Sequence, residues 1–190
     1  MSEHDLLFRV IQVRAGGRVR RCHNVQITGV YSVAEHSWGA AMLFHALWPD
    51  EFPSMALAVL THDVAEAVVG DIPSPTIRYT NTRELLEGIE ERVNERYGVA
   101  DLSNLTGDQY DKLKAVDRLE LYLWAIEQRL QGNQFAREVE EEIAFYLSMS
   151  ELPAPADRLF KMLTLKAGVP PKHELLPIGA GAMFRQVMED

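Results

Sequence analysis

Apolar positions recur along this chain at helical spacing, in segments parted by glycine, proline and capping residues. Residues 3–15 place Leu6, Leu7, Val10, Ile11 and Val13 in that rhythm, and Gly16-Gly17 ends the segment. Residues 24–31 are β-favouring but short and broken by Gly29, which predicts an irregular connection. Ser32 with Glu35 three positions later forms a capping-box pattern, and Ala40, Leu43, Phe44 and Leu47 carry the helix it opens to Trp48-Pro49. A central helix is expected from about Ser54 to Val69, stopped by Gly70. After the Pro73-Ser74-Pro75 loop, Leu85, Leu86, Ile89, Val93 and Tyr97 define a further amphipathic helix that Gly98 can terminate. The longest helix spans roughly Asp108 to Leu130. Two more follow at 134–149 and 156–167, split by Pro153-Ala154-Pro155, and a weaker one at Ala180–Met188. The predicted fold class is all-α and bundle-like, with residues 1–190 forming one domain.

Polar residues interrupt the apolar faces at a few positions that packing alone does not explain. On the central helix Met55, Val59, His62, Glu66 and Val69 share a stripe, and Asp63 sits about 100° round from His62 by helical geometry. His36 lies on the face of Val33, Ala40 and Leu43. Asp117 lies with Leu113, Leu121 and Trp124, where burial of a carboxylate without a partner costs several kcal/mol. His36, His62, Asp63 and Asp117 together offer two nitrogens and two carboxylates from three helices. That set suits one divalent transition metal, with Mn²⁺, Co²⁺, Fe²⁺ or Zn²⁺ the candidates, and leaves places for water and a substrate oxygen. Each residue alone has a plainer reading: an inward histidine is commonly a hydrogen-bonded core residue, and Asp71 can simply cap its loop. His4, His23, His45 and His173 read as structural or surface residues.

Charge and composition narrow the partners. A net charge of −9 argues against a nucleic-acid polymer or an anionic membrane as partner, although Arg14, Arg18, Arg20 and Arg21 cluster around Gly16-Gly17. No apolar run is expected to reach the ~18 residues that span a bilayer. The single cysteine, Cys22, allows no internal disulfide, and the N-terminus lacks a signal-peptide pattern, so a cytoplasmic setting is expected.

The combination Glu-His-Ser at 35–37, His-Asp-x-x-Glu at 62–66, Gly-Asp-Ile-Pro-Ser-Pro at 70–75 and Ala-Val-Asp at 115–117 resembles the HD-domain metal phosphohydrolases. Within them it is most similar to the YfbR-like 5′-deoxynucleotidase group, which includes phage dATP triphosphohydrolases. The resemblance covers roughly Arg18 to Trp124. It implies an HD-domain helical bundle in which His36, His62, Asp63 and Asp117 hold the metal and Glu66 is the catalytic carboxylate. It further implies that Asp71, Ile72, Pro73 and Ser74 line the substrate, with Asp71 contributing to catalysis. An Arg-Trp pair before the first histidine aligns with Arg18 and Val19, the arginine orienting phosphate; Arg20 or Arg21 could take that role instead. The implied reaction is hydrolysis of the 5′-phosphate ester of a deoxyribonucleotide, mono- or triphosphate, with deoxyadenosine phosphates the best guess. The implied assembly is a homodimer in the cytoplasm, the host's if the chain is phage-encoded. Other readings are a hydrolase of an alarmone or cyclic nucleotide, or a non-catalytic helical metal-binding scaffold. The two-metal phosphodiesterases of the same superfamily need further histidines before the last aspartate, and no histidine occurs between residues 64 and 172.

Overall fold

A computed structural model describes residues 2–73, 76–77, 80, 82–99 and 102–167. Ser74 and the expected helix at Ala180–Met188 lie outside these residues. The helices are α1 (Glu3–Gly16), α2 (Val33–Leu47), α3 (Phe52–Thr61), α4 (Glu66–Val69), α5 (Arg83–Tyr97), α6 (Gly107–Leu130), α7 (Arg137–Met149) and α8 (Ala154–Ala167). Among the described residues no strand forms, and residues 24–31 are irregular.

Local chemistry starts these helices. Capping boxes open three of them: Ser2 with Asp5, Ser32 with Glu35, and Thr106 with Gln109. In each, the side-chain oxygen accepts from the third backbone N–H of the helix and the third side chain accepts from the cap's own N–H. Gly98 ends α5 in the left-handed conformation. Pro155 does not delay α8, because a proline in the first turn has no intrahelical N–H to lose.

The expected central helix is not continuous. It breaks after Thr61, and the chain descends through short i to i+3 turns, Val64 N–H to Thr61 O and Glu66 N–H to Asp63 O, before α4 begins. The Val59 carbonyl, which an unbroken helix would offer to the Asp63 N–H, faces His62 Nδ1 at 2.7 Å instead. The break also answers the question of a membrane span. Phe52–Val69 is 18 residues with mean hydropathy 1.3, apolar enough by length and composition to cross a bilayer, contrary to the sequence expectation. Interrupted at Thr61, it leaves α3 with 10 residues, too few to span, and carries His62, Asp63 and Glu66.

The main core forms where α2 packs on α6 and α3, with α7 and α8 closing the far side of α6. Phe44, Met55, Val59, Leu113, Val116, Leu119 and Leu147 are fully buried there, each stabilising the fold by roughly 1.5–3 kcal/mol. A second cluster joins α1 and α5 to the turn after α3, through Val64, Ala65, Val93 and Tyr97 with Phe8 and Val13 packed on them. Gly16 makes this approach possible: a Cβ there would stand 3.0 Å from the Val64 carbonyl oxygen. A third cluster, Tyr31, Trp124 and Ala125 with Cys22, Leu121 and Val139, forms beside the site.

Candidate active site

Three elements deliver the polar residues that the apolar pattern left over. From α2 comes His36, fully buried; from the turn after α3 come His62 and Asp63; from the middle of α6 comes Asp117. One ligand atom from each lies within 4.8 Å of all the others. His36 Nε2 is 3.2 Å from His62 Nε2, 3.1 Å from Asp117 Oδ1 and 3.5 Å from Asp63 Oδ2. His62 Nε2 is 3.3 Å from Asp63 Oδ2 and 3.7 Å from Asp117 Oδ1. Atoms bound about 2.0–2.2 Å from one ion stand roughly 3.0–3.5 Å apart, so these separations fit a shared divalent cation.

The outer nitrogens support the same reading. His62 Nδ1 donates to the Val59 carbonyl and His36 Nδ1 donates to the Glu120 carboxylate, which also accepts from the Tyr31 hydroxyl. With both protons held outward, two Nε2 lone pairs face each other and need a positive charge between them. In the metal-free protein a proton serves. Burial would lower the His36 pKa, but hydrogen bonds to Asp117 and Glu120 outweigh it and raise the imidazole to about 9. Glu120 reaches His36 because residue 39 is glycine; a Cβ there would lie 2.7 Å from Glu120 Cγ.

Arg21 and Glu66 sit beside this cluster. Arg21 Nη1 donates to Asp63 Oδ2 and stands 3.5 Å from Glu66 Oε1. Burial works against the guanidinium's charge, yet Asp63 with Tyr31, Asp117 and Glu66 raises its pKa. Burial, reinforced by Asp63 and opposed by Arg21, pushes the Glu66 carboxyl up to about 8. Burial also opposes ionisation of Asp63 and Asp117; the positive neighbours win, His62 and Arg21 lowering Asp63, and Lys114 and the two histidines lowering Asp117. Arg21 Nε and Glu66 Oε2 are buried without a hydrogen-bond partner, so each has bonding capacity left for a bound molecule.

A pocket of about 480 Å³ opens from the cluster. Arg21, Cys22, Asp63, Glu66, Asp71, Ile72, Pro73 and Asp117 form its reactive end, and the segment from Gln134 to Ile143 forms its far wall. Asp71 accepts the Cys22 N–H at 2.9 Å, which ties the loop after α4 to the segment carrying Arg21.

Arg18 and Val19, aligned from the sequence with the phosphate-orienting pair, are not in the pocket lining. Arg18 is exposed on the turn that follows α1. Residues 19–21 run antiparallel to 31–33, with Val33 N–H on Val19 O and Arg21 N–H on Tyr31 O. Successive side chains of an extended segment face opposite ways, so Arg20 points to solvent and Arg21 into the site. Arg21 and Cys22, three residues later, line the pocket that Arg18 and Val19 do not. Arg14 is exposed too.

Sequence reasoning also missed Glu120, Tyr31 and the far pocket wall. Glu120 could have been found, since it lies three residues after Asp117 and so shares its face of α6. The wall had no local signal, because it depends on how α7 folds back on α6.

A helical bundle presenting a two-histidine, two-aspartate cluster beside a carboxylate and an arginine that each keep one unbonded polar atom has the form of an HD-domain phosphohydrolase. The chain belongs to the 5′-deoxynucleotidase YfbR-like family, whose profile matches residues 13–166. A dATP triphosphohydrolase of Salmonella phage PMBT28 is 31% identical over 123 aligned residues, covering 57% of this chain and 61% of that one. The fold is shared with an HD-domain phosphohydrolase of Listeria innocua, at TM-score 0.67 and 19% identity over 97% of this chain and 99% of that one. It is shared also with the cyanophage S-2L HD phosphohydrolase bound to dA and one catalytic Zn²⁺, at TM-score 0.60 and 21% identity over 83% and 95%.

Proposed function

We propose that this protein hydrolyses the 5′-phosphate ester of deoxyribonucleotides, releasing the deoxynucleoside, with deoxyadenosine phosphates as preferred substrates. The observation that carries the reading is the convergence of His36, His62, Asp63 and Asp117 on one point, with Glu66 and Arg21 at the same end of a nucleoside-sized pocket. The phage relative's activity and the dA bound to the cyanophage protein support it. A divalent transition metal held by the four ligands would neutralise charge on a phosphate oxygen and acidify a water molecule.

This chain's residues do the rest. Arg21, whose Nε has no other partner, binds a second phosphate oxygen and holds the phosphorus in place. Glu66 exchanges the reaction's proton at Oε2, which is buried without another partner at the reacting end, taking a proton from water and returning it to the leaving 5′-oxygen. Asp71 keeps the Arg21-Cys22 segment against the loop Gly70–Pro73. The protein acts as a homodimer in this reading, and a monomer mass by light scattering would remove that part.

The test uses a panel of nucleoside mono- and triphosphates, assayed for released nucleoside with Mn²⁺, Co²⁺ or Zn²⁺. Glu66→Gln is expected to keep metal and fold while losing roughly 10²–10⁴-fold in turnover. His62→Ala is expected to lose metal and turnover together. Unchanged activity after exhaustive chelation, or full activity in Glu66→Gln, would sink the proposal.

A further inference from the structure

Among the described residues, the pocket lining extends to one side of the ligand cluster along α6. Along α6, Leu121 lies one turn beyond Asp117 toward the C-terminus, about 6 Å along the axis, and lines the pocket with Phe135 and Val139. Lys114 lies one turn the other way, about 4.5 Å toward the N-terminus, outside that lining. Its Nζ donates to Asp117 Oδ2 at 3.1 Å, whereas the opposite oxygen, Oδ1, faces the two histidines. Lys114 therefore reaches the centre without occupying a ligand position. The bond to Asp117 uses one of its three N–H donors, and the side chain is 34% exposed.

Charge decides which way a polyphosphate would run. Among the described lining residues Arg21 is the cation, and it sits at the reacting end beside Asp63 and Glu66, where it serves the reacting phosphate. The pocket wall beyond carries Glu138 and Glu142, so a chain of phosphates laid along it would meet like charge. At the opposite end Lys114 is paired with Asp117 and has Asp63 and Glu90 of α5 in its neighbourhood, and its part-exposed ammonium keeps two N–H donors open.

We infer that Lys114 receives the phosphates beyond the reacting phosphorus, so that a nucleoside triphosphate lies across α6 with its nucleoside toward Leu121 and Phe135 and its outer phosphates at Lys114. The inference rests on the hydrolase reading above, and it names the residue that lets the site take a triphosphate.

The experiment compares metal-loaded wild type, Lys114→Met and Lys114→Arg by calorimetric binding of inorganic tripolyphosphate, by kcat/KM on dATP and dAMP, and by metal content. Lys114→Met is expected to weaken tripolyphosphate at least tenfold, and to lose at least tenfold more on dATP than on dAMP, with metal retained. Lys114→Arg is expected to recover most of both. Equal losses on the two nucleotides, or tripolyphosphate binding that does not change or is absent in the wild type, would overturn the inference and leave Lys114 as a support for Asp117. A wild type that binds tripolyphosphate through Lys114 yet frees nucleoside from neither nucleotide would sink the hydrolase reading and leave the phosphate contact standing.

Discussion

Four arginines within eight residues offer a phosphate-binding cation, and a single backbone pairing selects one of them. Arg21 N–H on Tyr31 O sets the alternation that turns Arg21 inward and Arg20 outward, while Arg18 stays on the turn after α1. The guanidinium then meets Asp63 and Glu66 at short range in a setting with little water, where a charge-assisted bond to phosphate is strongest. Arg21→Ala is expected to lower kcat/KM by roughly 10- to 10²-fold with metal still bound, since one such bond contributes about 1.5–3 kcal/mol. Arg18→Ala is expected to stay within about twofold. Steady-state kinetics of the two variants decides the assignment, and the reverse order of effects would return the role to Arg18.

The elements do two things at once, stabilising the bundle and fixing the ligands. On α2, His36 and Gly39 lie one turn apart, and the glycine leaves the space through which Glu120 of α6 reaches the imidazole. An exposed or neutral helical site would gain up to about 1 kcal/mol from Gly→Ala. Here the new Cβ would displace Glu120, free the His36 ring and spoil its tautomer. Gly39→Ala is therefore expected to weaken metal affinity about 10–100-fold with no gain in thermal stability, measured by competition with a chelator. A more stable variant with unchanged affinity would show that Glu120 does not orient His36. What could be read from the sequence follows the same division. The Ser32–Glu35 cap and the apolar rhythm of α6 are local, and both helices stand as expected. The break at Thr61 is not local: α3 gives way where α1 packs Gly16 against Val64, and nothing within residues 54–69 announces a contact from residue 16. His36, His62, Asp63 and Asp117 stood out because polar groups on apolar faces need partners. The arginine and the far pocket wall depend on chain pairings that no local pattern encodes.

At the scale of the whole molecule, the site's charges set how stability and metal binding respond to pH, and they do so in opposite directions. His36 has its folded pKa raised from 6.5 to about 9, so in the metal-free protein it contributes stability that is fully present below pH 6.5 and is lost as pH rises through 9. Glu66 has its folded pKa raised from 4.5 to about 8, so the folded state again binds the extra proton, and stability falls over that window also. Asp63 and Asp117 are lowered below the ordinary carboxylate value, which makes their contribution an acid-side effect that does not change between pH 6 and 9. Each of the two groups contributes about 2–3 kcal/mol, so chelated protein is expected to lose roughly 5 kcal/mol from pH 6 to 9, a fall in Tm on the order of 10–20 °C for a chain of this size. Metal affinity should move the other way, because an ion must displace the proton on His36. Below pH 9 it should rise up to about tenfold per pH unit. Thermal unfolding across this range, with chelator and with saturating Zn²⁺, separates the two. The gap between the melting temperatures is expected to widen as pH rises, and Glu66→Gln is expected to flatten part of the chelated curve while leaving the His36 component. Parallel curves with and without Zn²⁺ would mean that the proton on His36 and the metal do not compete for one place, and the four-residue cluster would lose its standing as the metal centre.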